Sequence, residues 1–85
     1  MTLRELSFMT SAQVVIRSRC DGTWYAVVEG AEIGGDGFLR SGMGNGESPS
    51  AALGALCNEI RGKRLVFDAY APHRREFMVP FSVTP

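Results

Sequence analysis

Few residues in this chain of 85 could act as nucleophiles, bases or metal ligands. His73 is the single histidine, and Cys20 and Cys57 are the two cysteines. Nucleophilic catalysis needs a nucleophile, a base and a group that orients the base. His73 could be such a base, with Asp68 or Glu76 nearby in the sequence. Because nothing in the spacing selects a complete set, the sequence predicts no catalytic residues and favours a protein that is not an enzyme.

The cysteines and the histidine also give little support for a metal site. They show none of the C-x-x-C or H-x-x-x-H spacings that structural zinc sites use. Cys57 falls on the apolar face of a predicted helix and is expected to be a small core residue. The opening residues lack a secretory signal, which indicates a reducing cytoplasm and disfavours a disulfide between Cys20 and Cys57. We expect no metal, no cofactor and a cytoplasmic location.

A glycine-rich stretch, residues 34–46, holds six of the ten glycines and precedes a predicted helix. Glycine turns before helices can hold phosphates, but a P-loop needs a lysine that this stretch lacks, since the first lysine is Lys63. The G-x-G-x-G run ends at Glu47, which would repel an anion. The sequence therefore predicts a mobile glycine-rich loop over residues 31–47 with a short strand in it. Three side chains are expected to anchor the loop: Phe38, Leu39 and Met43.

Composition and charge exclude several classes of protein. The chain is 45% hydrophobic and 21% charged, which is ordinary for one globular domain, here residues 1–85. Nine Lys and Arg balance nine Asp and Glu, whereas a general polyanion binder is clearly basic. No apolar run approaches the roughly 18 residues that span a membrane. A core this small is often supplemented by self-association, so a homodimer is also expected.

The zero net charge hides an uneven distribution. Residues 1–20 carry three arginines and one glutamate, a net charge of +2. Residues 21–60 carry one arginine and six acidic residues, a net charge of −5, and residues 61–85 carry five basic and two acidic residues, a net charge of +3. Either the terminal segments pack beside the middle and neutralise it, or two patches of opposite sign bind a charged partner.

Alternating apolar residues and one helical stripe predict the fold. Residues 14–19 and 24–29 read as a hairpin closed by Asp21-Gly22, with inner-face candidates Val14, Ile16, Trp24, Ala26 and Val28. Ser48-Pro49 opens a helix that ends near Gly62, with an apolar face formed by Ala52, Leu53, Leu56, Cys57 and Ile60. Further strands are predicted over residues 65–67 and 76–79, whereas residues 1–10 fit a first strand, a short helix or a frayed end. The expected class is α+β: an antiparallel sheet of four to five strands in βββαββ order with one helix packed on one face.

Basic and aromatic residues are the candidates for partner binding. A basic cluster could gather where the helix ends and the last hairpin turns, and arginine and tyrosine are favoured interface anchors. The opposite face of the first hairpin could add a partly apolar stripe, with Tyr25 and Val27. The predicted partner-binding residues are Arg61, Lys63, Arg64, Tyr70, Arg74, Arg75 and Tyr25.

Two resemblances centre on the run into the helix. Strand–turn–strand followed by Gly46-Glu47-Ser48-Pro49-Ser50-Ala51-Ala52-Leu53 resembles the N-terminal part of HicB-type antitoxins. The same G-x-S-x-x-A-A-L run is similar to the end of double-stranded-RNA-binding domains. Those domains depend on lysines at the helix start, where this chain has Pro49-Ser50. These resemblances imply an alternative function as a nucleic-acid-associated regulator.

A broader resemblance covers about the last 35 residues. Ser48-Pro49-Ser-Ala-Ala-Leu53, Gly62-Lys-Arg-Leu-Val-Phe-Asp68 and Arg74-Arg-Glu-Phe-Met-Val-Pro80 resemble small uncharacterised accessory proteins of tailed phages and prophages. The resemblance implies a protein expressed in the host cytoplasm that binds and modulates or inhibits a host protein or complex, such as a CRISPR–Cas defence system. The leading hypothesis is therefore a non-enzymatic interaction protein with a host protein partner. A nucleic-acid partner is the first alternative, and a small enzyme using Cys20 or His73 is the second.

Overall fold

The computed structural model describes residues 1–35 and 38–85 of the chain. Two helices and seven strands follow one another in the order α1-β1-β2-β3-β4-β5-α2-β6-β7. Their bounds are α1 Leu3–Thr10, β1 Val14–Ser18, β2 Trp24–Val28, β3 Ala31–Gly34, β4 Leu39–Arg40, β5 Gly44–Gly46, α2 Pro49–Ile60, β6 Arg64–Phe67 and β7 Arg75–Met78. The strands form two antiparallel sheets, the first in the order β1-β2-β5 and the second in the order β4-β3-β6-β7.

The opening segment, which the sequence left open, is helix α1. Its first turn is closed by a capping box: the Thr2 hydroxyl accepts a hydrogen bond from the Glu5 N–H at 3.1 Å, and the Glu5 carboxylate accepts one from the Thr2 N–H at 3.1 Å. The bond from the Thr2 N–H, together with one from the Thr2 hydroxyl at 3.2 Å, lowers the pKa of the Glu5 carboxyl. Leu3, Leu6 and Thr10 follow at helical spacing and are buried, so α1 contributes a full face to the core.

The first hairpin forms as predicted, with a loop of three residues. Arg19 and Thr23 flank the loop, and the Arg19 N–H donates to the Thr23 carbonyl at 2.7 Å. Gly22 has a φ of +87°, which glycine adopts without the steric cost that a side chain would bring. This loop pairs Val14 with Val28 and Ile16 with Ala26, so the predicted inner-face residues do share a face.

Strand β5 lets helix α2 approach the first sheet closely. Gly44 pairs with Ala26 and Gly46 pairs with Trp24, so both glycines lie on the face that meets α2. A Cβ atom on Gly44 would lie 2.6 Å from the Leu56 Cα and closer still to the Leu56 N and the Ala52 O. The glycines are therefore packing positions, and the expectation of a mobile loop anchored through Phe38, Leu39 and Met43 is wrong for β5. Phe38 is 69% exposed, and Gly37 lies outside the described residues.

Helix α2 has the ends predicted from the sequence. The Ser48 hydroxyl accepts a hydrogen bond from the Ala51 N–H at 3.1 Å, and Pro49 occupies the first helical position. Past the last helical turn, Gly62 has a φ of +70° and its N–H donates to the Val79 carbonyl at 2.9 Å. The end of α2 is thereby joined to the segment that follows β7.

The second sheet packs one face into the same core. Ile33, Leu65 and Phe77 are neighbours across β3, β6 and β7, and Ile33 approaches Ile60 of α2 above Gly42. The α+β class is confirmed. Instead of one sheet and one helix, the described residues form two sheets and two helices. Neither helix within these residues has the length and apolarity to cross a membrane.

Candidate interaction surfaces

The histidine and the two cysteines lie in separate parts of the fold. His73 is in the connection between β6 and β7, where its Nε2 atom is 3.4 Å from a carboxylate oxygen of Asp68. Cys20 is exposed in the first hairpin loop, and Cys57 is buried in α2. Burial raises the pKa of the Cys57 thiol, which keeps it protonated. Among the described residues, no hydrogen bond or ion pair joins His73 to a cysteine, and no three His, Cys, Asp or Glu side chains are placed to hold a metal ion.

The predicted basic cluster is divided between the two faces of the second sheet. Arg64 and Arg74 come together around Glu76, with nitrogen–oxygen distances of 2.9 and 3.7 Å. Arg75, the first residue of β7, pairs with Phe67 and points to the other face. There its guanidinium lies 5.0 Å from the centre of the Phe67 ring and donates to the Thr10 carbonyl at 3.0 Å. Arg75 therefore fastens the end of α1 to the second sheet.

The remaining predicted binding residues are scattered. The Arg61 guanidinium donates to the Phe81 carbonyl at 3.1 Å, and the Lys63 carbonyl accepts a backbone hydrogen bond from Val79. Tyr70 is 95% exposed in the β6–β7 connection. None of these three side chains adjoins the Arg64–Glu76–Arg74 group through a hydrogen bond or ion pair in the described part of the chain.

Tyr25 belongs to a different surface, the outer face of the first sheet. It pairs with Arg17 on β1 and Asn45 on β5, and the guanidinium of Arg19 lies 4.9 Å from the centre of its ring. Arg19 also reaches the Met43 sulfur at 3.0 Å. Two arginines from the N-terminal segment therefore accompany Tyr25, and the basic cluster of residues 61–75 does not.

An open groove lies between α1, β1 and α2. This α1–β1 groove has a volume of about 420 Å³. Six of the residues that line it are Leu3, Arg4, Ser7, Val14, Ile16 and Leu53. Its walls are mainly aliphatic, and Arg4 supplies a positive charge. Concave, mainly apolar surfaces with a few placed polar groups are typical binding sites.

Helix α1 also presents apolar side chains outside the α1–β1 groove. Phe8 is 87% exposed and lies one helical turn beyond Arg4, and Met9 is 60% exposed. Arg4 lines the groove on one side and a smaller hollow with Phe8 and Met9 on the other. A large aromatic ring left in water beside an apolar groove is typical of a protein contact surface.

The sequence did not predict the α1–β1 groove, because the groove exists only if the opening segment is a helix. The signal that could have found it is the Thr2-x-x-Glu5 capping box together with the helical spacing of Leu3 and Leu6. Arg4 and Arg17 were also not among the predicted binding residues. Within residues 1–35 and 38–85, neither of these two arginines has an acidic partner.

The first hairpin loop gives a pH-dependent prediction. The Asp21 carboxylate accepts hydrogen bonds from the Thr23 hydroxyl at 2.6 Å and the Thr23 N–H at 3.0 Å, and these bonds lower the pKa of Asp21. Because the folded-state pKa is lowered, the contribution of the carboxylate to stability is present above the unfolded-state pKa and is lost as pH falls through the folded-state value. We expect an NMR titration to give Asp21 a pKa below the usual aspartate value of about 3.9.

Thr23→Val is the matched variant for this titration. It removes the hydroxyl donor and keeps the shape of the side chain, so the pKa of Asp21 should rise towards its usual value. An unchanged pKa in the variant would show that the Thr23 hydroxyl does not bind the carboxylate in solution.

Comparisons with known proteins assign no family to this chain, so its function has to be inferred from these surfaces. The chain matches no protein-family model, no curated protein and no solved structure at a significant level.

Proposed function

We propose that this protein is a non-enzymatic binding module that contacts a protein partner through the α1–β1 groove and the exposed Phe8. The observation that carries the proposal is the 420 Å³ apolar groove beside an exposed strand. A well-formed apolar groove flanked by a large aromatic residue fits the pattern of protein interfaces, where buried anchors contribute most of the binding energy.

The location of the groove supports a protein partner over a small metabolite. The groove is open along β1, where Ile16 is 37% exposed, and it continues past Arg4 to Phe8. A contact that runs from β1 to Phe8 extends over two elements of the fold, as protein interfaces do. The resemblance of residues 48–80 to small phage and prophage proteins makes bacterial host proteins and complexes the first class to test.

Paired substitutions test the proposal. Ile16→Asp places a carboxylate in the groove, and Met78→Asp places one on β7 of the second sheet, where Met78 is 67% exposed. We expect bacterial proteins captured by the wild-type chain to be recovered equally with Met78→Asp and to fall about tenfold or more with Ile16→Asp, since losing an interface anchor typically costs at least that much affinity. Quantitative mass spectrometry of the captured proteins measures this, and circular dichroism checks that both variants remain folded.

Three outcomes would contradict the proposal. Equal recovery with both variants would place the contact elsewhere. Loss of all captured proteins after nuclease treatment would indicate a nucleic-acid partner, the alternative function. Turnover of a small molecule that Cys20→Ala or His73→Ala abolishes would make the protein an enzyme.

A further inference from the structure

Strand β1 is an edge of the first sheet, since it pairs with β2 alone. At its two ends, Gln13 accepts a hydrogen bond from Glu29, and Arg19 donates one to Thr23. Hydrogen-bonded and non-bonded residues alternate along an antiparallel pair. The odd-numbered residues of β1 therefore turn their backbone groups to β2, and those of Val14, Ile16 and Ser18 point away from the sheet.

These outward backbone groups have no other partner among the described residues. No hydrogen bond from a loop, a helix or a side chain reaches the backbone of Val14, Ile16 or Ser18. An unpaired strand edge is a template for an added strand unless it is short, charged or covered. The edge strand β7 differs in the state of its charge: Glu76 on β7 pairs with Arg64 and Arg74, whereas Arg17 on β1 has no acidic partner among the described residues.

The unpaired edge and the α1–β1 groove adjoin each other. Val14 and Ile16 supply both the outward backbone groups and part of the groove wall, opposite Leu53 of α2. A strand added to β1 would place alternate side chains on the helix side of the sheet, in the groove. Strand addition combines main-chain hydrogen bonds with pockets for alternate side chains, and this edge offers both.

Charge decides which added strand fits. On the outer face of the sheet, the side chains of an added strand would lie beside Arg17. On the inner face they would enter the groove, which Arg4 lines. Neither arginine has an acidic partner among the described residues. A second copy paired antiparallel about Ile16 would place the two Arg17 side chains at diagonal positions on one face, about 7–8 Å apart, and β1 has no acidic side chain to pair with them. An acidic segment would place carboxylates beside Arg17, and its apolar side chains would pack against the aliphatic groove wall that Arg4 borders.

Resting on the proposed function, we infer that the partner binds as an extended segment that adds a strand to the open edge of β1, with apolar side chains at alternate positions in the α1–β1 groove and acidic side chains beside Arg17. The five residues of β1 set the length of the paired segment, about 17 Å at the usual rise per residue.

The test uses labelled peptides with the folded protein. The probe is the heptapeptide Glu-Val-Glu-Ile-Glu-Val-Glu, and its controls are a peptide of the same composition with the apolar residues in one block and a peptide with lysine in place of glutamate. Fluorescence anisotropy should show binding of the alternating acidic peptide and at least tenfold weaker binding of both controls. NMR hydrogen exchange should show that the bound peptide protects the amides of Ile16 and Ser18.

Two variants separate the backbone contribution from the charge contribution. Ile16→Pro removes an outward N–H that β2 does not use, which an edge strand tolerates, and it should weaken peptide binding about tenfold or more. Arg17→Glu leaves the backbone intact and should reverse the preference, so that the lysine peptide binds better than the glutamate peptide.

Several results would overturn strand addition. One is no binding of the alternating acidic peptide up to about 1 mM, and another is equal binding of the peptide with its apolar residues in one block. The inference also fails if the amides of Ile16 and Ser18 stay unprotected, or if the wild type forms a dimer whose protected amides lie on β1. If these occur while Ile16→Asp still abolishes capture of bacterial proteins, the groove binds its partner in another conformation and only the strand inference fails. If the peptide binds as expected but Ile16→Asp captures proteins as the wild type does, the proposed function fails by itself.

Discussion

Replacing Gly44 by alanine should unfold much of this protein at temperatures where the wild type is folded. The new Cβ atom would meet backbone atoms of α2 at Ala52 and Leu56, and backbone atoms cannot rotate away as a flexible side chain can. Overpacking a core typically costs 1–3 kcal/mol and occasionally more. We expect a loss of about 3 kcal/mol, which lowers the thermal midpoint of a domain of this size by roughly 10–20 °C.

Gly54→Ala is the matched control. Gly54 lies inside α2, where an added Cβ atom would meet nothing within 4 Å. Alanine is the better helix former by about 1 kcal/mol, so this variant should raise the midpoint by a few degrees. Thermal unfolding followed by circular dichroism measures both changes. Similar midpoints for the two variants would contradict the close approach of α2 to β5.

Leu6→Ala should produce the second large loss of stability. Leu6 is fully buried in the core although it lies in the helix that opens the described chain. Truncating a buried leucine removes its packing and leaves a cavity, at a cost of about 2–5 kcal/mol. Urea unfolding should show this loss as a lower midpoint with a similar slope.

Phe8→Ala, in the same helix, tests whether burial is the cause. Truncating Phe8 to alanine removes more side-chain volume than truncating Leu6, but Phe8 is 87% exposed. The free energy of unfolding should therefore change by no more than about 0.5 kcal/mol. Small and equal effects of the two variants would mean that α1 is frayed in solution and that the α1–β1 groove loses one wall. A large effect of Leu6→Ala alone supports the groove on which the proposed function depends.

The first hairpin was predictable in detail because its apolar pattern fixes its register. Val14 and Ile16 can face the same side as Ala26 and Val28 only if the even-numbered residues of β1 pair with the even-numbered residues of β2. That condition requires an odd number of residues in the loop, and the structure has three, with Gly22 in the left-handed conformation. Helix α2 was predictable for a similar reason, since the Ser48-Pro49 cap precedes a single apolar stripe.

Strands β3, β4 and β5 were harder to predict because they are short and two of them contain glycine. Ala31–Gly34 and Leu39–Arg40 offer too few residues for an alternating pattern, and Gly44–Gly46 contains one side chain beyond hydrogen. Glycine normally weakens a strand. In β5 it is required, because a neighbouring helix occupies the space that a side chain would fill. Sequence patterns do not reveal such a neighbour.

The division of the predicted basic cluster follows from strand geometry. Successive side chains on a strand point to opposite faces, so Arg74 and Arg75 cannot both join one surface if the segment is extended. The sequence already predicted a strand at residues 76–79, and extending its alternation by two residues, to Arg74, would have separated Arg75 from Arg74. The groove residues Arg4 and Ile16 could not be found in this way, because they are distant in sequence and meet only when α1 folds.

Two hydrogen bonds that hold α1 against the rest of the fold affect when this helix can pack during synthesis. Arg75 holds the carbonyl of Thr10, and Leu3 donates a backbone hydrogen bond to Thr84 at 2.9 Å. Helix α1 leaves the ribosome before β7, and the residues that secure it are translated more than sixty positions later. Contacts this distant in sequence form late, so a nascent chain carries Leu3 and Leu6 without these contacts until β7 has emerged.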